Sequence, residues 1–423
     1  MLDVRAIRED PEPFRRGLAR RGLPEAVDEL LAADERRRSL TAAVEELRAR
    51  QNAASKRIGG AQGGERLRLI DEVSSVSAEL KRLEPELEDA GRAMSDLLAT
   101  VPNVPHESVP DGETDEDAVE VRRHGEPVAF GFEPRDHVEL GSLLGVLDTE
   151  RGARTSGSRF VYLLGDAAYV QFALVRFALD RLAEHGFTPV IPPVLVREDA
   201  MFGTGFLPTD EVNLYVIPDD ELYLVGTSEV PLAALHLGEI LEEPDLPRLY
   251  AGYSTCFRRE AGSYGKDLGG LFRVHQFDKV EMFAFARPEE SWELHERMVA
   301  IQEEIIGELE LPYRVVNTAV GDLGGAAAKK YDLEVWLPGQ GRYRELTSCS
   351  NCTDYQARRL QARVRRTSGE IEVLHTLNGT AVAVGRTLIA ILENHQQADG
   401  SVALPKPLHS HLPEGLRELR PPA

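Results

Sequence analysis

LYAGYSTCFRRE (residues 249–260) and LFRVHQFDKVEMFAF (residues 271–285) read as two strands, joined by the loop AGSYGKDLGG with its four glycines. Strands connected by so short a loop pair antiparallel, so the sheet that holds them is not a parallel, doubly wound one. With a side-chain period of two, Arg258 and Glu260 share one face of the first strand. On the second, Arg273, His275, Phe277, Lys279 and Glu281 share a face, provided no bulge intervenes. An arginine fork grips phosphate oxygens, a ring stacks on a base, and a carboxylate accepts from an ammonium group. The same side chains also suit a solvated hairpin, and the stretch alone leaves both readings open.

The surroundings narrow the choice. The chain has 423 residues, 42% hydrophobic and 28% charged, enough for two or three domains with a large core. No uncharged apolar run approaches the roughly 18 residues that span a bilayer. The amino-terminal MLDVRAIREDPEPFRRG is charged from its third residue and lacks the apolar core of a signal peptide. The expectation is a cytoplasmic protein with no membrane segment. Of the three cysteines, Cys349 and Cys352 have C-x-x-C spacing, but a structural zinc needs about four ligands and no second pair exists. They are expected to be reduced structural thiols.

A formal net charge of −22 argues against nucleic acid, yet the charge is unevenly placed. Between Arg36 and Arg68 stand nine basic residues against three acidic ones. In the same region, Leu30, Ala33, Leu40, Val44, Leu47, Ala54 and Ile58 keep an alternating 3,4 spacing, with Arg37 and Gln51 in the two missing seam positions. Ile70, Val73, Val76, Leu80, Leu83, Leu87, Ala90, Met94, Leu97 and Val101 form a second such series. GGAQGG (Gly59 to Gly64) breaks helix between them and reverses the chain. The spacing predicts an antiparallel two-helix coiled coil, about 45–50 Å long at about 1.5 Å per residue, with a bend at Pro85. Arg36, Arg37, Arg38, Arg48, Arg50, Lys56, Arg57, Arg66 and Arg68 make its distal half basic. A solvated helix face would need nothing more, but a one-signed surplus exceeds what pairing within each helix absorbs and suits phosphate backbones. The proline- and acid-rich VPNVPHESVPDGETDEDAVE (Val101 to Glu120) then marks a domain boundary.

Familiar nucleotide motifs are absent. In GSYGKD, Glu260 stands where a P-loop needs its first glycine, and no G-x-G-x-x-G opens a helix after a strand. Other segments do match a known pattern. HGFTPVIPPVLVR (His185 to Arg197), the opening stretch, and LNGTAVAVGRTLIAILENHQQADG (Leu377 to Gly400) resemble the three class II synthetase motifs. VGTSEVPL (Val225 to Leu232) and KKYDLEVWLPGQGRYRELTSCSNCTDYQARR (Lys329 to Arg359) are similar to segments particular to seryl enzymes. Along essentially its whole length the chain resembles the bacterial-type seryl-tRNA synthetases.

The resemblance implies an α+β fold: a class II antiparallel sheet of six or so strands flanked by helices, with an N-terminal two-helix coiled-coil arm. It divides the chain into a tRNA-binding domain (1–105, its arm about 27–100) and a catalytic domain (106–423). It implies ATP and Mg²⁺, L-serine, tRNA(Ser) and tRNA(Sec) as partners, and a homodimer built partly through the first motif. Arg258 and Arg386 would hold the α- and γ-phosphates as the catalytic pair. Glu260 would contact the adenine amino group, Phe277 would stack on the ring, and Val274 would touch the nucleotide through its backbone; Arg259, Arg273, Leu346 and Thr347 complete the ATP site. Glu345 and Ser348 would ligate Mg²⁺, whose hard character suits oxygen. Thr227, Ser228, Glu229 and Glu281 would bind serine, with Thr380 and Asn378 near its hydroxyl. Arg36, Arg37, Arg48, Arg50, Lys56, Arg57, Arg66 and Arg68 would meet tRNA.

Plainer roles compete for some of these: Thr380 as a helix cap, Glu345 as an ordinary strand carboxylate, Phe277 as a core ring. Asp332, Glu334 and Trp336 read as structural. Three positions depart from the family pattern: Thr380 where serine is frequent, Arg259 where a small residue is common, and Gly324-Gly325 in place of a more polar pair. None removes a catalytic group. An amino-acid:carrier-protein ligase, a specialised paralogue, or a coiled-coil scaffold with a decayed nucleotide fold are the alternative functions. Carrier-protein ligases tend to lack the long arm, and joint retention of Arg258, Glu281, Glu345 and Arg386 speaks against decay.

Overall fold

The computed structural model describes residues 1–261 and 270–422, in two compact units, Met1–Val104 and Pro105–Ala423. Most of the glycine-rich loop of the opening stretch lies outside the described residues.

In the first unit, α1 (Val4–Glu9) and α2 (Glu12–Arg20) bury Ile7 and Leu18. They are followed by α3 (Ala26–Ile58, 33 residues) and α4 (Gly63–Thr100, 38 residues), about 50 and 57 Å long at about 1.5 Å per residue. Gly63 has φ +57°, a conformation that costs glycine nothing, where the chain turns back. Val44, Leu47, Val76, Leu80 and Leu83 form the seam. Gln51 occupies its expected place and donates to Ser77 Oγ across the hairpin at 2.8 Å. Two seam assignments are corrected. Asp34, buried and paired with Arg8 and Arg37, sits where Arg37 was expected, and Leu69 is buried while Ile70 is 46% exposed. Both are one-residue or one-turn slips of a 3.6-residue helix against a 3.5-residue pattern. Helix α4 runs through Pro85 without a break.

The second unit is built on an eight-stranded sheet, two strands more than the resemblance implied. Its strands are β1 (Val119–His124), β2 (Thr188–Val190), β3 (Arg248–Phe257), β4 (Gln276–Ala286), β5 (Tyr313–Asn317), β6 (Lys329–Leu337), β7 (Arg342–Thr353) and β8 (His375–Ala383). Across the sheet they run β1-β5-β6-β7-β8-β4-β3-β2. Every pair is antiparallel except β2 with β3. Alternation along β4 decides the layers. Val280, Met282, Ala284 and Ala286 enter the main core. There they meet the apolar faces of α5 (Asp166–Glu184), α7 (Ser291–Glu308) and α9 (Val384–Asn394). Phe283 and Phe285 point the other way, into a smaller core under α6 (Glu229–Ala234) and α8 (Tyr355–Leu360). The three longer helices thus cover one face, and the site lies on the other, beside the short helices α6 and α8. The three cysteines are free and buried; burial pushes each thiol up, which keeps it unreactive. Among the described residues no helix is long and apolar enough to cross a membrane.

Candidate active site

Strands β3 and β4 are shorter than the opening stretch suggests. β3 stops at Phe257 and β4 begins at Gln276, so Arg258, Glu260, Arg273 and His275 lie beyond the ladder. The chain is still tied there: Arg258 N donates to the His275 carbonyl at 3.0 Å, and His275 Nδ1 lies 2.8 Å from the Arg258 carbonyl. Glu260 then takes φ +50°, unusual for a residue with a side chain. Irregular backbone at this point turns Arg258 and Glu260 toward the same cavity instead of along a flat strand.

That cavity, about 110 Å³, is lined by Arg258, Glu260, Arg273, Val274, Phe277, Lys279, Glu345, Leu346, Thr347, Ser348, Thr380 and Arg386, together with Leu271, Phe272, Ala383 and Gly385. Four consecutive residues of one strand line it because the β6–β7 register shifts between Leu333 and Glu334, placing Leu346 as an extra residue. Bulges of this kind re-aim side chains next to sites. A second shift, between Val280 and Glu281 in the β4–β8 ladder, sets Thr380 opposite Glu281. Thr380 Oγ1 donates to Glu281 Oε2 at 3.1 Å.

Solvated charges would not be buried, and these are. Lys279 and Glu281 are 6% and 2% exposed, with Nζ and Oε2 2.7 Å apart. The solvated-hairpin reading therefore fails. Phe277 lines the cavity and carries the Arg258 guanidinium 5.3 Å from its ring centre; it is not a core ring. Arg258 Nε donates to the Gly226 carbonyl at 3.1 Å. Arg386 stacks on Phe272 and donates to both the carbonyl and the carboxylate of Glu345, at 3.0 and 3.1 Å. The charges of Arg386 and Lys330 hold the half-exposed Glu345 carboxylate low, at about 2. Arg273 pairs with Glu260 at 3.2 Å.

Behind Glu281 lies a second cluster. Glu229, at the start of α6, accepts at Oε1 from Gln356 Nε2 (2.7 Å) and from Asn378 Nδ2 (3.0 Å). Its backbone N–H donates to Thr227 Oγ1 at 3.2 Å. Burial, with the charge of Glu281, pushes Glu229 up to about 7.

Full-length relatives decide what this arrangement is. The chain is 51% identical to the serine–tRNA ligase of Thermobifida fusca over 96% of each chain, and 51% identical to that of Acidothermus cellulolyticus over 100% of each. The chain belongs to the seryl-tRNA synthetases. Residues 1–105 match the seryl-tRNA synthetase N-terminal domain, and residues 215–395 the class II tRNA synthetase core domain (G, H, P, S and T). Among solved structures, the seryl-tRNA synthetase from Pyrococcus horikoshii complexed with ATP superposes with a TM-score of 0.94 at 44% identity, over 100% of both chains. A cytoplasmic serine–tRNA ligase from Naegleria fowleri in complex with AMP gives 0.89 at 33%, over 100% of this chain and 99% of that one.

Against the seryl-tRNA synthetase pattern, the structure brings ten of the eleven residues expected at the ATP site into the lining of one cavity. Arg259 is the exception: it does not line the cavity, and its backbone N–H donates to the Asn213 carbonyl at 2.9 Å. Ser228 is also set apart, being fully buried with Oγ 2.7 Å from Ser254 Oγ. Thr380 is no helix cap, because the N-cap of α9 is Ala383. Asp332, Glu334 and Trp336 are held by structural partners, Lys330, Arg314 and Asn394. Lys279 and Gln356 were not singled out as site residues. For Lys279 the signal was its place on the Phe277–Glu281 face. Gln356 carries no sequence signal, since only folding brings α8 to Glu229.

Of the basic residues on the arm, Arg48, Arg50 and Arg57 pair across the hairpin with Glu84, Glu72 and Glu65, and Arg37 with Asp34. Arg36, Lys56, Arg66 and Arg68 have no acidic partner among the described residues.

Proposed function

We infer that the protein is a serine–tRNA ligase, joining L-serine to tRNA(Ser) through a seryl-adenylate at the cost of ATP. The observation that carries this is the cavity itself, where two anchored arginines and an aromatic plate adjoin a buried Lys279–Glu281 pair, in a chain matching seryl-tRNA synthetases end to end. In the first step the serine carboxylate attacks the α-phosphorus and pyrophosphate leaves; in the second the terminal ribose hydroxyl of tRNA attacks the activated carbonyl and AMP leaves. No side-chain nucleophile is needed. Arg258 holds the α-phosphate and Arg386 the γ-phosphate, Phe277 stacks on adenine, and Glu260 accepts from its amino group. Placement and charge neutralisation do the catalysis.

Among the described residues no group of three or more His, Cys, Asp or Glu suits a metal ion. Glu345 and Ser348 would hold Mg²⁺, whose hard character suits a carboxylate and a hydroxyl oxygen beside substrate phosphates. When bound, the ion neutralises phosphate charge. Serine's ammonium lies between Glu229 and Glu281 with Thr227, and its hydroxyl donates to Thr380 Oγ1, whose own hydrogen is committed to Glu281. A site that pairs the hydroxyl rejects alanine by leaving polar groups unpaired.

Residues 1–105 serve as the tRNA-binding domain and 106–423 as the catalytic domain, with tRNA(Sec) as a second substrate where present, in the cytoplasm. A homodimer accounts for the exposure of Tyr169 and Phe172 on α5 and of Ile191, 85% exposed beside the edge strand β2. Phe172→Glu combined with Ile191→Glu is expected to convert dimer to monomer in sedimentation; an unchanged dimer rules this face out. The activity is tested by amino-acid-dependent ATP–pyrophosphate exchange across all twenty amino acids, then by charging of purified tRNA(Ser). Exchange with serine alone, followed by charging, is expected. Exchange without charging points to a carrier-protein ligase, and no exchange ends the assignment.

A further inference from the structure

Glu281 and Glu229 differ in one respect. Lys279 neutralises Glu281 at 2.7 Å. Among the described residues no Lys, Arg or His comes within ion-pair distance of Glu229, whose side-chain partners are the two neutral amides of Gln356 and Asn378. An amide donor orients a carboxylate without cancelling its charge. The site therefore holds a carboxylate that is aimed but lacks a counter-ion, which is what a primary ammonium ligand requires.

Gln356 does the aiming in a fixed orientation. It is fully buried on α8. Its Nε2 donates to Glu229 Oε1 at 2.7 Å and to the Thr204 carbonyl at 3.1 Å, while Oε1 accepts from Thr376 Oγ1 at 2.8 Å. Flipping the amide would set its oxygen against both a carbonyl and a carboxylate and would leave its NH₂ facing the Thr376 hydroxyl. Three elements distant in sequence thus lock one amide face.

We propose that Gln356, locked by Thr376 and the Thr204 carbonyl, is the positioning residue that turns the Glu229 carboxylate toward the serine ammonium and so sets serine affinity. This rests on the reading of Glu229 as an ammonium ligand. The charged and titratable groups that act on Glu229 are Glu281 and Lys279 of β4, Arg258 past β3, and Cys352 of β7. Because burial and Glu281 push Glu229 up to about 7, much of it is protonated at neutral pH before serine arrives. The ammonium favours the ionised form, so serine binding releases a proton and tightens as pH rises through 7.

The test is steady-state exchange with Gln356→Glu, which keeps the shape and exchanges the donor for an oxygen, and with the pair Thr376→Val and Thr376→Ser. In Gln356→Glu, the KM for serine is expected to rise about 10- to 100-fold, the loss of one hydrogen bond to a charged group, and its pH midpoint to move upward. The KM for ATP should change little, whereas the melting temperature is expected to fall, because an oxygen now faces the Thr204 carbonyl and the Glu229 carboxylate. Thr376→Val should reproduce part of the effect and Thr376→Ser none. A wild-type serine KM and pH profile in Gln356→Glu overturns the proposal. So does a loss of ATP affinity as large as the loss of serine affinity, which marks a purely structural residue. Glu229→Gln separates the two claims: a raised serine KM there upholds the ammonium reading whatever Gln356 does, and an unchanged one removes both.

Discussion

Arg258→Ala is expected to lower serine-dependent ATP–pyrophosphate exchange by about 10³-fold or more, the range for removing a charge donor preorganised on a transferring phosphoryl group. The argument is geometric. Arg258 Nε is committed to the Gly226 carbonyl, and the guanidinium lies over Phe277, so one edge of the fork is anchored and its plane is set before substrate binds. Arg258→Lys restores the charge without the second N–H or the stacked plane, and recovers little. The side chain lines a cavity and leaves no void in the main core, so the melting temperature should stay near wild type. That separates a catalytic loss from an unfolded protein. Exchange at the wild-type rate in Arg258→Ala would remove the assigned phosphate site, and with it the roles given to Phe277 and Glu260.

Much of this was legible in the residues, and the failures have physical causes. Alternation along β4 foretold the shared face of Phe277, Lys279 and Glu281, because period two survives any change in the neighbouring strands. The ends of the strands were misjudged. Glu260 adopts a left-handed backbone and His275 bonds a carbonyl instead of a ladder partner, and neither residue type advertises this. Bulges at Leu346 and opposite Glu281 place Glu345 and Thr380, yet a bulge inserts one residue without altering composition. In the arm, apolar spacing located both helices and the turn at Gly63. It mistook Ile70 for the buried residue because Leu69 and Ile70 are adjacent and equally apolar. Charge counting foresaw a surplus but not its distribution. Acidic residues on α4 absorb Arg48, Arg50 and Arg57, while Arg36, Lys56, Arg66 and Arg68 have no acidic partner among the described residues.

Replacing Ala33–Ala93 by a short turn is expected to leave serine activation close to its full rate and to abolish charging of tRNA(Ser). The apolar seam of the segment is self-contained, and the buried ion pair lost with it, Arg8–Asp34, lies in the unit that lacks the cavity. Val44, Leu47, Val76, Leu80 and Leu83, with Leu40, Ala43 and Leu87 against them, pack on one another, and every member lies inside the deletion. The cavity residues all lie beyond residue 225 and in the other compact unit. What is lost is cationic surface, and affinity for a polyanion arises largely from counterions released as phosphates are neutralised. A subtler variant keeps the fold: Arg36, Lys56, Arg66 and Arg68 changed together to Gln remove no ion pair and no buried group. If each neutralises one phosphate, the slope of log affinity against log salt flattens by about three, while exchange is untouched. Truncated protein that charges tRNA normally, or a quadruple variant with the wild-type salt slope, would show that nucleic acid is held by some other surface.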